Sequence, residues 1–390
     1  MKYELTDGTL KLFLEGHIDS SNAEAVEAEI TAAREKESFS SVLVDAENLE
    51  YISSAGLRVL LRLRKACPQM EVINVRPEVY EVFDITGFTE MMTIKKAFRR
   101  VSVEGCEVIG QGANGKVYRI DPDTIVKEYF SPDSLNEINR ERELARTAFV
   151  LGIPTAIPYD VVRVGNGYGS VFELLNAKSF AKLLADGEKT VDEIAQMSID
   201  LLKLIHGTEV KPDSMPDMKA VALDWADFLK DYLDGDLYRK LHSLVADVPE
   251  VHHMLHGDYH IKNVMLQNGE ALLIDMDTLC YGHPVFELAS MYNAYCGFSE
   301  TDHENCLQFL GITYETAVTL WKKMLGLYLG TTDPARLKEV EEKAQIIGYT
   351  RIMRRTIRRN GLNTEPGRAV IENCRKYLET LIPRTDTLVF

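Results

Sequence analysis

At 390 residues the chain is too long for one ordinary domain, and 45% hydrophobic content is ample for packed cores. A net charge of −16 argues against nucleic-acid binding, and six cysteines without a CxxC pair suggest reduced thiols in a cytoplasmic protein. No run approaches the roughly 20 apolar residues of a membrane span, and MKYELTDGTLKLFLEG lacks the apolar stretch of a signal peptide.

In chain order, Leu10, Leu12 and Leu14 alternate with polar residues, which predicts a β-hairpin turning at Gly16. Asp19 and the serines after it suit the N-cap of a helix over Ala23 to Lys36. SVLVDA (41–46) reads as a short buried strand, and Gly56 to Ala66 as a second helix starting near Ser53-Ser54-Ala55. MEVINV (70–75) is another strand, and Glu78 to Thr86 a short helix. Strands alternating with helices predict an α/β layer. The basic residues Lys95, Lys96, Arg99 and Arg100 close this part, as a partner patch or as a solvated linker.

YISSAGLRVLL (51–61), GHIDSSNA (16–23) and the Gly87-Phe88 turn resemble a STAS domain, a family that includes the bacterial anti-sigma-factor antagonists. The resemblance implies an α/β domain with a mixed sheet over residues 1–100, and a protein partner or self-association. In that family a D-S-S-G-L loop opens the second helix, and the serine before its glycine is phosphorylated. Here Ala55 occupies that slot, Ser53 replaces the aspartate and Ser54 matches the first serine. Alanine cannot accept phosphate, so a switch would need Ser53 or Ser54. Otherwise the three are small residues that let a helix start against a strand.

CEVIGQGANGKVYRI (106–120) places Gly110, Gly112 and Gly115 in a GxGxxG pattern. In a dinucleotide-binding fold the third glycine opens a helix, whereas Lys116 to Ile120 alternate like a strand. A Walker A reading fails at Val117, where Ser or Thr should bind magnesium. A kinase-type glycine loop remains, with Val117 fitting G-x-G-x-x-G-x-V; an ordinary Gly-rich hairpin is the alternative. TIVKEY then places Lys127 on a strand. Such a lysine grips nucleotide phosphates if a glutamate on the next helix holds it. Leu135 to Leu151 is that helix, with Glu143 the preferred partner and Glu141 the close alternative. VVRVGNGYGSVFELL (161–175) predicts a hairpin across Gly165-Asn166-Gly167. It ends in a hinge from Glu173 to Leu175, where backbone groups would receive an adenine ring.

The stretch Leu255 to Asp277, LHGDYHIKNVMLQNGEALLIDMD, gathers the chemistry. VML and ALLI read as paired strands across Gln267-Asn268-Gly269, which brings Asp258, Asn263 and Asp275 to one cleft. Three such oxygen ligands suit Mg²⁺ bridging nucleotide phosphates. No third nitrogen or sulfur ligand at zinc-like spacing joins His256 and His260.

Taken in order, the glycine loop, Lys127, the helix glutamate, HGDxHxxN and IDxD resemble the aminoglycoside phosphotransferase and choline-kinase-like superfamily. The resemblance implies an α+β protein-kinase-like bilobal fold, with residues 101–175 as nucleotide-binding lobe and 176–390 as catalytic lobe. It implies ATP and Mg²⁺ as cofactors, Asp258 as the residue that orients and deprotonates an acceptor hydroxyl, and Asn263 and Asp275 as metal ligands. Asp277 matches a second acidic slot near the metal. His256 is expected to brace the loop, His260 to line the cleft, and His206 to support the loop from its helix. In PVFELA (284–289), Glu287 stands where aspartate is usual. The absence of DFG, APE and activation-loop signatures favours a small hydroxyl-bearing acceptor.

Asp224, Asp227, Asp231 and Asp234 recur at helical spacing beside Trp225, as a site for a cationic acceptor or as a solvated face. Arg351, Arg354, Arg355, Arg358 and Arg359 form a basic stripe, for docking or for solvent. The rival to a metabolic or resistance enzyme is an anti-sigma-antagonist-type regulator whose kinase-like part senses nucleotide or phosphorylates a protein.

Overall fold

The first turn of the chain is Asp7-Gly8, joining strand β1 (Lys2–Thr6) to β2 (Thr9–Ile18) with Thr6 opposite Thr9. Both turn residues have positive φ, 48° and 75°, as a two-residue hairpin turn requires. The turn therefore lies upstream of Gly16, where the sequence suggested it. Gly16 uses its own positive φ at an irregularity in the pairing of β2 with the next strand.

After β2 come α1 (Ala23–Lys36), β3 (Ser41–Ile52), α2 (Ser54–Ala66), β4 (Met70–Val75), α3 (Pro77–Ile85), α4 (Phe88–Met91), β5 (Thr93–Lys96) and β6 (Arg99–Val101). The sheet order is β1-β2-β3-β4-β5, antiparallel at the first pair and parallel thereafter. Each parallel step needs a crossover, which the helices supply. β3 runs six residues beyond its predicted end because Leu49 and Ile52 continue the buried face. Within it the buried carboxylate of Asp45 is held by Lys11 at 2.8 Å and the Asn74 amide at 3.1 Å. Ser53 caps α2 by accepting the Ala55 N–H at 3.2 Å, and Ser54 is exposed.

The computed structural model describes residues 1–112, 114–131, 134–156, 158–212 and 214–390. The chain divides into two units, residues 1–102 with 162–166, and residues 103–161 with 167–390. In the first, Val162–Val164 pair in parallel with β6.

The second unit opens with β7 (Glu107–Gln111), β8 (Gly115–Asp121), β9 (Thr124–Tyr129) and α5 (Leu135–Val150); β10 (Pro158–Val164) follows, its last three residues counted with the first unit, and then β11 (Gly167–Glu173). β11, β9, β8 and β7 are successive antiparallel neighbours. Next come β12 (Lys178–Ser179), α6 (Phe180–Ala185), α7 (Val191–His206), α8 (Met218–Phe228) and α9 (Gly235–Ala246). β13 (Met254–Leu255), β14 (Val264–Gln267), β15 (Glu270–Leu273) and β16 (Cys280–Tyr281) precede α10 (Val285–Tyr295), α11 (Glu304–Leu310), α12 (Tyr314–Leu329), α13 (Pro334–Arg358) and α14 (Glu365–Leu381).

Every residue of α10 is buried, which makes it the helix around which this unit packs. Long α13 lies against it through Gly348, where a Cβ would stand 2.5 Å from the Asn293 side-chain oxygen. That close approach sets which face of α13 looks inward. The aspartate stripe does not form. α8 ends at Phe228, Asp231 lies in a 3₁₀ turn, and Asp234 caps α9. Among the described residues, no helix is long and apolar enough to cross a membrane.

One packing test follows in the first unit. A Cβ on Gly56 would lie 2.7 Å from Ile52 and 2.8 Å from Ile18. Alanine would recover about 1 kcal/mol of helix propensity, so the sharper substitution is valine, which recovers less and adds bulk. Gly56→Val should lower stability by about 1–3 kcal/mol in a urea titration of the chain.

Candidate active site

The β14–β15 hairpin turns on Asn268 and Gly269, both at positive φ, and places Val264 opposite Leu273. The Ile274 N–H donates to the Asn263 carbonyl at 3.0 Å, which extends the pairing by one step. Asn263 and Asp275 thus emerge at the same open end. Asp275 has φ 64°, a left-handed conformation unusual for a residue with a side chain.

Upstream, the His256-Gly257-Asp258 turn is tight for a steric reason. Gly257 has φ 80°, and a Cβ there would lie 2.4 Å from the Thr278 carbonyl oxygen. The N–H groups of His256 and Gly257 both donate to the fully buried carboxylate of Glu287 on α10. Behind it, His206 approaches Glu287 at 3.8 Å and meets the Tyr328 hydroxyl at 2.7 Å. Glu287 therefore braces the turn despite its extra methylene, and His206 sits where a loop support was expected. His256 is fully buried, its ring nitrogens 3.3 Å from the Asp258 N–H and 3.4 Å from the Ile274 carbonyl. The Asn263 amide nitrogen donates to the Asp258 carbonyl at 3.0 Å, closing the loop on itself.

The Asp258 carboxylate has His260 at 3.5 Å and Arg351 at 4.0 Å. Burial pushes its pKa up, but the hydrogen bond and charge of His260, together with Arg351, outweigh that and leave it at about 2. Arg351 is held in turn. It donates to the Gly257 carbonyl at 3.3 Å and the Ser290 hydroxyl at 2.8 Å, with its guanidinium over the Trp225 ring.

Across the cleft Lys127 projects from β9 to Glu141, at 3.0 and 3.2 Å, and to Asp275, at 3.2 Å. Burial disfavours its charge, yet Glu141 and Asp275 hold its pKa above the ordinary lysine value. Tyr129 adds a hydrogen bond to Glu141 at 2.5 Å. The lysine's partner is thus Glu141 and not Glu143. The inward face of α5 is Ile138, Glu141, Leu144, Ala145 and Ala148, at three- and four-residue spacing. Glu143 lies about 200° around the helix from Glu141 and is exposed.

A cleft of about 730 Å³ collects Gly110, Gly112, Gly115, Val117, Lys127, Glu173, Leu175, Asp258, Asn263, Asp275 and Asp277. Gly115 is obligatory, because a Cβ would stand 2.1 Å from the Glu128 carbonyl oxygen. Burial, and then the charge of Asp275, raise the Asp277 carboxyl to about 7. Among the described residues no three His, Cys, Asp or Glu side chains converge as a metal cluster.

Three residues of the site lacked a motif to announce them. Asn114 donates to Asp277 at 3.5 Å, Ser290 donates to the Gly257 carbonyl at 2.9 Å, and Arg351 approaches Asp258. The available signal for Arg351 was its four-residue spacing from Arg355 and Arg359. Two of the four carboxylates considered for a cationic acceptor are engaged elsewhere: Asp224 with Arg354 at 2.7 Å, and Asp227 with Tyr238 and His242 at 2.9 and 3.5 Å.

The Glu141 assignment can be checked on the folded chain. Glu141→Ala leaves half-buried Lys127 with Asp275 alone and takes the acceptor from the Tyr129 hydroxyl, and should cost about 1.5–3 kcal/mol. Glu143→Ala should stay within about 0.5 kcal/mol of the unaltered chain. Denaturant unfolding of the two variants side by side reads the difference.

Residues 1–101 match the STAS domain, and residues 105–324 match the phosphotransferase enzyme family. A protein of Bordetella bronchiseptica named as an anti-sigma factor antagonist is 40% identical over 92 residues, covering 23% of this chain and 78% of its own length. An anti-sigma F factor antagonist of Paenibacillus polymyxa is 28% identical over 91 residues, covering 22% and 78%. Among solved structures, an ADP-bound aminoglycoside phosphotransferase aligns over 80% of this chain and 99% of its own at 13% identity, with a TM-score of 0.48. A choline/ethanolamine kinase family protein from Mesorhizobium loti aligns over 72% and 88% at 17% identity, with a TM-score of 0.47. With more than half its length matched, the chain belongs to the phosphotransferase enzyme family and carries a STAS domain at its start.

Proposed function

We propose that the chain transfers the γ-phosphoryl group of ATP to a hydroxyl of a small molecule, with Mg²⁺ as cofactor. The observation that carries this reading is Lys127, kept charged by Glu141 and Asp275 in the same cleft as Asp258, Asn263 and the glycine turn. In this reading residues 101–175 bind the nucleotide, residues 176–390 supply catalysis and the acceptor site, and residues 1–100 form a protein-interaction module.

Backbone groups from Gly110 to Gly115 cover the phosphates, Lys127 grips them, and Glu173 to Leu175 receive the adenine ring. Asn263 and Asp275 would hold the cation, with Asp277 beside them. The residues fit one, since two close carboxylates that resist joint ionisation are relieved by a divalent charge. When bound, Mg²⁺ neutralises charge on the β- and γ-phosphate oxygens. Asp258 is ionised across the neutral range, so it accepts a hydrogen bond from the hydroxyl and aims the oxygen. With so low a pKa it takes the proton only as the new P–O bond makes that proton acidic.

Transfer from γ-labelled ATP tests the assignment. Asp258→Ala should lose about 10²–10⁴-fold in rate while nucleotide binding persists. Asp275→Ala should abolish the Mg²⁺ dependence of nucleotide binding. An undiminished rate in the Asp258 variant would overturn the reading.

A further inference from the structure

The cleft has a basic wall that the nucleotide reading does not use. Arg351 and Arg355 lie four residues apart on α13, Arg359 follows at its C-terminal cap, and all three line the cleft that contains Asp258. Arg351 is fixed beside Asp258 by the Gly257 carbonyl and Ser290. Arg355 lies over the Phe298 ring at 4.9 Å, which restricts the long side chain. Among the described residues neither Arg355 nor Arg359 forms an ion pair, whereas neighbouring Arg354 is matched by Asp224. Arg355 and Arg359 are exposed, and partial desolvation and then the charges of Arg359 and Arg351 hold the Arg355 guanidinium below its ordinary pKa. Like charges held together in a chain of net charge −16 call for an anion. Guanidinium groups bind carboxylate and phosphate by paired hydrogen bonds.

We propose that the acceptor is a small anionic alcohol, bearing a carboxylate or phosphate that Arg355 and Arg359 bind while its hydroxyl meets Asp258. The proposal rests on the phosphotransferase reading above and adds the class of acceptor. In the step, the acceptor oxygen bonds to the γ-phosphorus of ATP as the bond to the β–γ bridging oxygen breaks. ADP leaves with that electron pair, and the hydroxyl proton passes to Asp258 and on to solvent. The arginines touch only the acceptor's anionic group, which makes them specificity residues.

The test is calorimetry on the full chain, first with Mg-ADP alone and then at saturating Mg-ADP with four probes. D-glycerate and glycerol 3-phosphate are the anionic alcohols; choline and kanamycin are the cationic ones. At least one anionic alcohol should bind, more tightly than either cation. The double variant Arg355→Ala/Arg359→Ala should weaken it by about 100-fold, two strong ionic hydrogen bonds' worth, with Mg-ADP affinity unchanged. Arg355→Glu should weaken it at least as much. Tighter binding of a cation, no binding of either anion, or anion binding indifferent to the double variant would overturn the proposal. Loss of Mg-ADP affinity in the double variant would assign the arginines to the nucleotide and overturn it too. Label transferred from ATP only to an acidic protein would overturn the small-molecule acceptor. Failure of Mg-ADP to bind the unaltered chain would sink the underlying reading as well, so the two failures are told apart at the first titration.

Discussion

The candidate active site depends on one buried carboxylate. Glu287 sits on the wholly buried helix α10 and accepts the N–H groups of His256 and Gly257. An isolated carboxylate in such a place would cost several kcal/mol in lost hydration. Burial raises its pKa, but His206, His256 and the Gly257 N–H outweigh that and draw it below the ordinary glutamate value. The charge is thus spent on orienting a turn. Gly257 can make that turn, with its positive φ and no Cβ against Thr278, and Asp258 follows with no freedom to drift. Arg351 and Ser290 grip the same glycine's carbonyl from the other side. Every polar group of the turn is used, which is why few substitutions there would be silent.

A second constraint is electrostatic. Asp275 and Asp277 stand close enough that one raises the pKa of the other, and Lys127 is the cation at hand for Asp275. Lys127 is shared with Glu141, so its charge is divided between a structural partner and the cleft. Removing the structural partner would let the lysine collapse onto Asp275, and with it the groups awaiting phosphate and metal. The Glu141 interaction is therefore a positional one, and Tyr129 reinforces it from the sheet. Stability and site geometry meet in a single side chain.

Much of this was legible in the residues because the motifs are local. α1 and β4 have their predicted bounds, and the β14–β15 hairpin turns where Asn268-Gly269 directs it. Mistakes came where one local pattern has two structural uses. Gly16 signals positive φ, and both a hairpin turn and a strand irregularity want that; Asp7-Gly8 is the stronger turn pair. Glu141 and Glu143 are two residues apart, and only the phase of the apolar residues Ile138, Leu144 and Ala148 tells which faces the sheet. The aspartates after Trp225 keep helical spacing past the point where α8 ends, since spacing alone does not reveal a break at Phe228.

The arginine stripe shows where such reading stops. Its periodicity is plain in the sequence, but a charged helix face turns to solvent or inward according to what packs on the opposite side. That is decided by Gly348 and Asn293, whose close contact fixes the rotation of α13 against α10. Arg351 lies three residues beyond Gly348, almost a full turn on, and so the same contact that seats the helix aims the first arginine at Gly257. A bulkier residue at position 348 would push α13 outward and rotate the ladder away from Asp258. The sign of the cleft wall is thus set by a helix contact that itself carries no charge.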